Sequence, residues 1–150
     1  MKKKSERLLP VKALRERQLK DEARKLAQAS NAFQAVSKQL NDLEQYLRGY
    51  YADPSRGNAT FKTAQDLMAY QQFIVKLNDA IIRQKQMVAL REAGFRAQQK
   101  RWADANANVQ SIERLIARAQ LEEQKKEDKR EQKIVDELST RLYLSNSREL

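Results

Sequence analysis

Apolar residues recur every seven positions along the first third of the chain. Two such rows run in parallel, the second three residues after the first. This pattern is typical of a helix that packs along a narrow seam in a coiled coil, and it predicts a first helix over about residues 10–51. The first row is Leu19, Leu26, Phe33, Leu40 and Leu47, and the second is Ala29, Val36, Leu43 and Tyr50.

A second heptad pattern begins near Thr63 and is longer. One of its two core positions is apolar throughout. The other is apolar at both ends of the helix but polar in the middle, where Gln84, Arg91 and Gln98 occur. Polar core positions weaken a seam and help to fix its register. The pattern predicts a second helix over about residues 63–145. The apolar row is Leu67, Ile74, Ile81, Val88, Phe95, Trp102, Val109 and Ile116.

The stretch from Gly49 to Thr63 contains one of the two prolines and two of the three glycines, which predicts a loop over about residues 52–62. Thr63 and Asp66 match a capping box at the start of the second helix. Two heptad helices joined by one loop predict an all-α fold, a single domain over 1–150 that forms an antiparallel coiled-coil hairpin. Folding about residue 57 places Phe33 opposite Ile81 and leaves residues from about 116 overhanging.

Near the middle of the chain, "AYQQFIVKLNDAIIRQKQ" carries more apolar surface than one seam requires. Ile74 and Ile81 belong to the seam, whereas Phe73, Leu77 and Ala80 form an adjacent line on the same helix. From spacing alone, this line either widens the core of a hairpin or dimer or binds a partner.

The charge is high and unevenly distributed. The formal net charge is +10, and residues 1–25 hold ten basic and four acidic side chains. A basic segment favours acidic partners, whether nucleic acid, anionic lipid or protein. Residues 122–133 are balanced and lack apolar side chains, and a short apolar tip of Val135, Leu138 and Leu142 follows. That tip is either a frayed helix end or a binding element.

Composition argues against catalysis. The chain has neither cysteine nor histidine, and its glycines at 49, 57 and 94 cannot form a phosphate-binding loop. We therefore expect no enzymatic activity, no cofactor and no metal.

No apolar run approaches the roughly 18 residues of a membrane span, so we expect a soluble, unprocessed chain. Nucleic-acid binding is less favoured because Phe33, Phe95 and Trp102 lie on the seams instead of among basic residues.

The segment "YQQFIVKLNDAI", Tyr70 to Ile81, together with the hairpin pattern around it, resembles the FliJ family of small coiled-coil proteins in the bacterial flagellar type III export apparatus. The stalk proteins of virulence-type injectisomes share this architecture, but the "YQQF" segment favours the flagellar family. A general coiled-coil scaffold, and less so a basic nucleic-acid-associated protein, remain alternatives.

The resemblance implies a non-enzymatic stalk in the cytoplasm, peripherally associated with the inner membrane at the flagellar base. Its implied partners are the hexameric export ATPase (FliI-like), the cytoplasmic domain of the export gate (FlhA-like) and export chaperones. It implies neither a nucleic-acid partner nor direct insertion into the membrane. FliJ-like proteins insert their paired helix ends into the ATPase pore and contact the gate with the hairpin.

Two sets of site residues follow from the resemblance. The gate face, carried over by position, comprises Phe73, Leu77, Ala80 and Gln84, the last of which replaces a histidine of the family member compared. The basic first helix and the overhang supply candidate contacts to the ATPase pore: Lys12, Arg15, Lys20, Val135, Leu138 and Leu142.

Overall fold

The computed structural model describes residues 2–53 and 63–148. These residues form two α-helices, α1 (Lys4–Ala52) and α2 (Ala64–Arg148), and no strand occurs among them. The expected all-α fold, a two-helix coiled-coil hairpin, is confirmed. Most of the loop predicted over 52–62 lies outside the described residues. No part of either helix within the described ranges is long and apolar enough to cross a bilayer.

Helix α1 begins six residues earlier than predicted, so Pro10 lies inside the helix and not in its first turn. A proline in a helix interior removes one backbone hydrogen bond and costs about 3 kcal/mol relative to alanine. The turn that precedes Pro10 makes contacts of its own. The Arg7 N–H donates to the Lys3 carbonyl at 3.1 Å, and Ser5 is buried.

The start of α2 is capped as the sequence predicts. The Asp66 N–H donates to the Thr63 hydroxyl at 3.2 Å, and the Thr63 N–H donates to the Asp66 carboxylate at 3.3 Å. These reciprocal bonds satisfy donors that have no partner within the helix. The capping box therefore defines where α2 begins.

The described residues divide into two compact units, each built from both helices. The first unit is Met1–Leu19 with Asp104–Leu150, and the second is Lys20–Ala103. In the second unit, Leu77 and Ile81 of α2 are buried. The half-buried positions of α1 follow the predicted heptads, from Leu26 to Tyr50.

The register of the second unit differs from the prediction. Phe33 stacks on Phe95, with ring centroids 5.9 Å apart and an interplanar angle of 7°, instead of facing Ile81. The Gln84 amide donates to the Val36 carbonyl. Folding about residue 57 would place Gln84 opposite residue 30, so the observed partner lies six positions further along α1. Helical side chains lean towards the N-terminus of their own helix, which brings the two rings together in an antiparallel pair. The heptads are therefore paired about one repeat away from the predicted offset.

In the first unit, the seam continues further along α2 than predicted. Ile116 and Ala119 are buried, at 7% and 3% exposed, although both fall in the segment expected to overhang. Val109 and Ile112 precede them on the same buried line. The pairing extends because α1 begins at Lys4 and so supplies nearly two further turns of helix. The unpaired segment begins after Glu123, and residues 124–148 are called the arm below.

Candidate partner-binding surfaces

The gate face is only partly accessible. Leu77 is 8% exposed and belongs to the buried seam, and Ala80 is half-buried. The Gln84 amide donates to the Val36 carbonyl at 2.9 Å and to the Gln39 side-chain oxygen at 3.1 Å. Of the four residues, Phe73 is therefore the one that offers a large apolar surface, at 39% exposed.

Helix α1 contributes an aromatic cluster beside Phe73. The Tyr50 ring lies 5.0 Å from the Phe73 ring, and Tyr46 packs edge-on against Tyr50 at 4.9 Å. The Tyr70 hydroxyl donates to the Tyr50 carbonyl at 3.0 Å. Aromatic pairs at these distances are favourable beyond their buried area. The cluster therefore joins the end of α1 to the start of α2.

Tyr46 is exposed and, with Asp42, Gln45 and Tyr50, lines a groove of about 590 Å³. Sequence reasoning missed Tyr46, because it lies outside both heptad rows of α1. The run "YLRGYY" before the loop was the available signal, since several tyrosines together are unusual in a highly charged helix. Aromatic side chains at an accessible surface are enriched at protein interfaces.

The basic residues proposed for the ATPase pore are divided between the two units. Lys12 and Arg15 are half-buried and lie on the α1 face that continues the heptad rows. Lys12 forms an ion pair with Glu16 at 3.8 Å, and the Arg15 guanidinium donates to Gln18 at 3.3 Å. Lys20 is exposed and belongs to the second unit.

The arm is exposed along its whole described length. Its helix is supported by short-range bonds, including one from the Gln124 amide to Asp128 at 3.0 Å and one from Gln132 to Asp136 at 3.1 Å. Val135, Leu138 and Leu142 share one face, as their spacing of three and four residues predicts. Each of these side chains is more than half exposed.

The arm begins at a contact between the helices. The Glu123 carboxylate accepts hydrogen bonds from the Ser5 backbone N–H at 3.0 Å and from the Ser5 hydroxyl at 2.7 Å. These bonds hold the pKa of Glu123 below its ordinary value, and partial desolvation opposes that effect. Lys3 and Lys126 lower the pKa further. Glu123 thus caps the start of α1 from the other helix.

Within the described ranges, no group of three or more acidic, cysteine or histidine side chains is placed to hold a metal ion. Phe33 and Phe95 are stacked on each other, so they are not free to stack on bases. Both accessible features, the aromatic cluster and the arm, are suited to contacts with other proteins.

Comparison with known proteins supports one family. The family model described as "FliJ: Flagellar FliJ protein" matches residues 3–148. No curated protein and no solved structure gives a significant match. The match covers nearly the whole chain, including the aromatic cluster and the arm. The chain belongs to the flagellar FliJ protein family.

Proposed function

We propose that this chain is a non-enzymatic stalk of the flagellar export apparatus, which inserts into the hexameric export ATPase and contacts the export gate. Family membership makes it a component of that apparatus. The proposal adds the two contacts, promotion of ATPase assembly, binding to export chaperones, and a cytoplasmic position at the inner membrane of the flagellar base. The observation that carries it is an exposed helical arm with an apolar tip, continuous with a paired coiled coil.

We assign the gate contact to Phe73, with Leu77, Ala80 and Gln84 as its supports. Phe73 is the accessible part of the gate face, and Tyr50 holds its ring. Leu77 and Gln84 attach the same stretch of α2 to α1. A gate domain that binds Phe73 therefore also meets Tyr46 and Tyr50, so the contact involves both helices.

The gate contact is tested by titrating the cytoplasmic gate domain against the full chain by isothermal titration calorimetry. Phe73→Ala should weaken binding about tenfold or more, because central aromatic anchors contribute most at such interfaces. Circular dichroism should stay helical, since Phe73 is only partly buried. Leu90→Ala, an exposed residue on the same helix, is the matched control. Equal affinity of Phe73→Ala and the native chain would exclude this assignment.

We assign the ATPase contact to the arm and to Lys12, Arg15 and Lys20. An unpaired helix with an apolar face can enter a ring, and the basic residues suit acidic pore residues. Truncation after Gln124 removes all of the arm except its first residue and keeps the Ser5–Glu123 contact. We expect the truncated chain to lose stimulation of the ATPase and to bind the gate domain normally.

The same truncation discriminates between the alternatives. A general scaffold would bind its partners without affecting ATPase assembly, so undiminished stimulation by the truncated chain would contradict the stalk. Substitution of the tip alone, Leu138→Ser with Leu142→Ser, separates the apolar face from the length of the arm. Loss of stimulation in this double variant would assign the contact to the tip.

A further inference from the structure

A second apolar line follows a face of α2 outside the seam, within the unit Lys20–Ala103. Met68, Val75 and Ile82 are seven residues apart and are 58%, 59% and 55% exposed. At 100° per residue, this line lies about 160° around the helix from Leu77 (measured from Val75) and about 100° from Ile81 (measured from Ile82). We call these three residues the outer line. It contributes nothing to the hairpin core.

The outer line has a shape that suits side chains of another helix. Met68 and Val75 line a shallow depression of about 320 Å³ together with Gln71, Gln72 and Lys76. Residues seven apart present one apolar anchor every two turns, which is the spacing that a second helix meets when it packs alongside. Methionine adapts its shape to a partner more readily than branched residues do.

Charge distinguishes between possible occupants. Lys76 and Arg83 lie on one side of the outer line, about 80–100° around the helix from Val75, and the exposed Asp79 lies between these two cations and the line. Neither Lys76 nor Arg83 forms an ion pair with any described residue. A second copy of this chain would bring the same basic border and a further net charge of +10, so repulsion disfavours it. A partner helix with acidic residues beside its apolar stripe would gain from both cations.

We propose that the outer line binds an amphipathic helix of a partner protein, with its apolar stripe on Met68, Val75 and Ile82 and its acidic border facing Lys76 and Arg83. This contact is separate from the gate face, because Lys76 and Arg83 lie between the outer line and Phe73 around the helix. It also does not depend on the proposed contacts with the ATPase and the gate.

The probes are two synthetic helical peptides of about 25 residues, long enough to be helical when bound. They share one leucine heptad stripe, and the residues beside it are glutamate in one and lysine in the other. Because the chain contains no cysteine, Gln72→Cys carries an environment-sensitive fluorophore in the full chain. Gln132→Cys on the arm is the matched label. We expect a saturable change with the glutamate peptide at Gln72, at least tenfold tighter than with the lysine peptide.

Two variants of the labelled chain test the surface. Val75→Asp with Ile82→Asp should weaken binding of the glutamate peptide at least tenfold. Leu9→Asp with Leu14→Asp, at exposed positions of α1, should leave that binding unchanged. Lys76→Glu with Arg83→Glu should reverse the preference between peptides, whereas Lys125→Glu with Arg130→Glu, which makes the same change in net charge, should not. Circular dichroism confirms that each variant remains helical.

Three results would overturn the proposal. Equal affinity for the two peptides would show that the surface does not select an acidic partner. A fluorescence change at the Gln132 label without one at the Gln72 label would show that the peptide binds to the arm. If sedimentation velocity shows that the native chain dimerises with increasing concentration and that Val75→Asp abolishes the dimer, the outer line binds a second copy of the chain. These results leave the gate and ATPase proposals intact, since those are read from Phe73 and from the arm.

Discussion

The two units use the same heptad pattern with different chemistry at the core positions. In the second unit, glutamines occupy the seam, and the Gln98 amide donates both to the Glu22 carbonyl and to the Glu22 carboxylate. In the first unit, the same core position holds Ile112 and Ala119, both buried beside Val109 and Ile116 of the apolar row. The comparison indicates that apolar burial provides stability in the first unit, while directional polar bonds select the register in the second.

The largest effect should come from truncating the apolar seam of the first unit. Ile112→Ala should lower the free energy of unfolding by about 2–3 kcal/mol, because a buried branched side chain is lost and the space is incompletely refilled. Leu115→Ala, on the same helix but 42% exposed, should cost less than about 1 kcal/mol. Urea unfolding followed by circular dichroism measures both. Equal losses would show that the seam is not the stabilising element.

Replacing the polar core of the second unit should separate stability from register. Gln84→Leu with Gln98→Leu should leave the free energy of unfolding unchanged or raise it by up to about 1 kcal/mol, since leucine suits a seam better than an amide. The pairing should then become less well defined. Spin labels at the exposed Lys38 and Lys85 measure this by double electron–electron resonance. A distance distribution as narrow as that of the native chain would contradict the register role.

Weakening the Ser5–Glu123 contact, where the pairing of the two helices ends, should lower the thermal midpoint by a smaller amount that depends on pH. Glu123→Gln weakens two charge-assisted hydrogen bonds to Ser5, so the thermal midpoint should fall at neutral pH. Glu122→Gln removes the same charge from the exposed neighbouring residue and should lower the thermal midpoint less than Glu123→Gln does.

The sign of the pH dependence follows from the lowered pKa of Glu123. A lowered pKa in the folded state means that the unfolded state binds the proton more readily. The stabilisation is therefore complete above the ordinary glutamate pKa, about 4.3, and is lost as the pH falls through the lowered value. The difference in thermal midpoint between the native chain and Glu123→Gln should shrink across that acidic range. A difference that grows towards low pH would contradict this account.

The smallest effect should come from the arm. Leu138→Ser removes an apolar side chain that is 52% exposed and lies beyond the pairing, so the free energy of unfolding should change by less than about 0.5 kcal/mol. The comparison with Ile112→Ala sets an arm residue against a seam residue of the same helix. A loss comparable to that of Ile112→Ala would mean that the arm packs against other parts of the chain.

Much of the site was predictable in position but not in accessibility. The spacing of Phe73, Leu77 and Ala80 showed surplus apolar surface, yet it gave no means of deciding which residue stays exposed. Leu77 is buried because α1 lies against it, and Phe73 remains accessible beside Tyr50. Tyr46 was missed because it lies outside both heptad rows of α1, and its partner Tyr50 is on the same helix.

The sequence by itself determined two helices, their heptad faces and the capping box of Thr63 and Asp66, because these depend on residues three to seven positions apart. Only the tertiary structure decided the offset between the helices. A shift of one heptad keeps every core position in the seam, so periodicity cannot distinguish neighbouring registers. Individual contacts distinguish them: Phe33 with Phe95, Gln84 with Val36, and Ser5 with Glu123. Those contacts also place the end of the pairing after Glu123 and so define the arm.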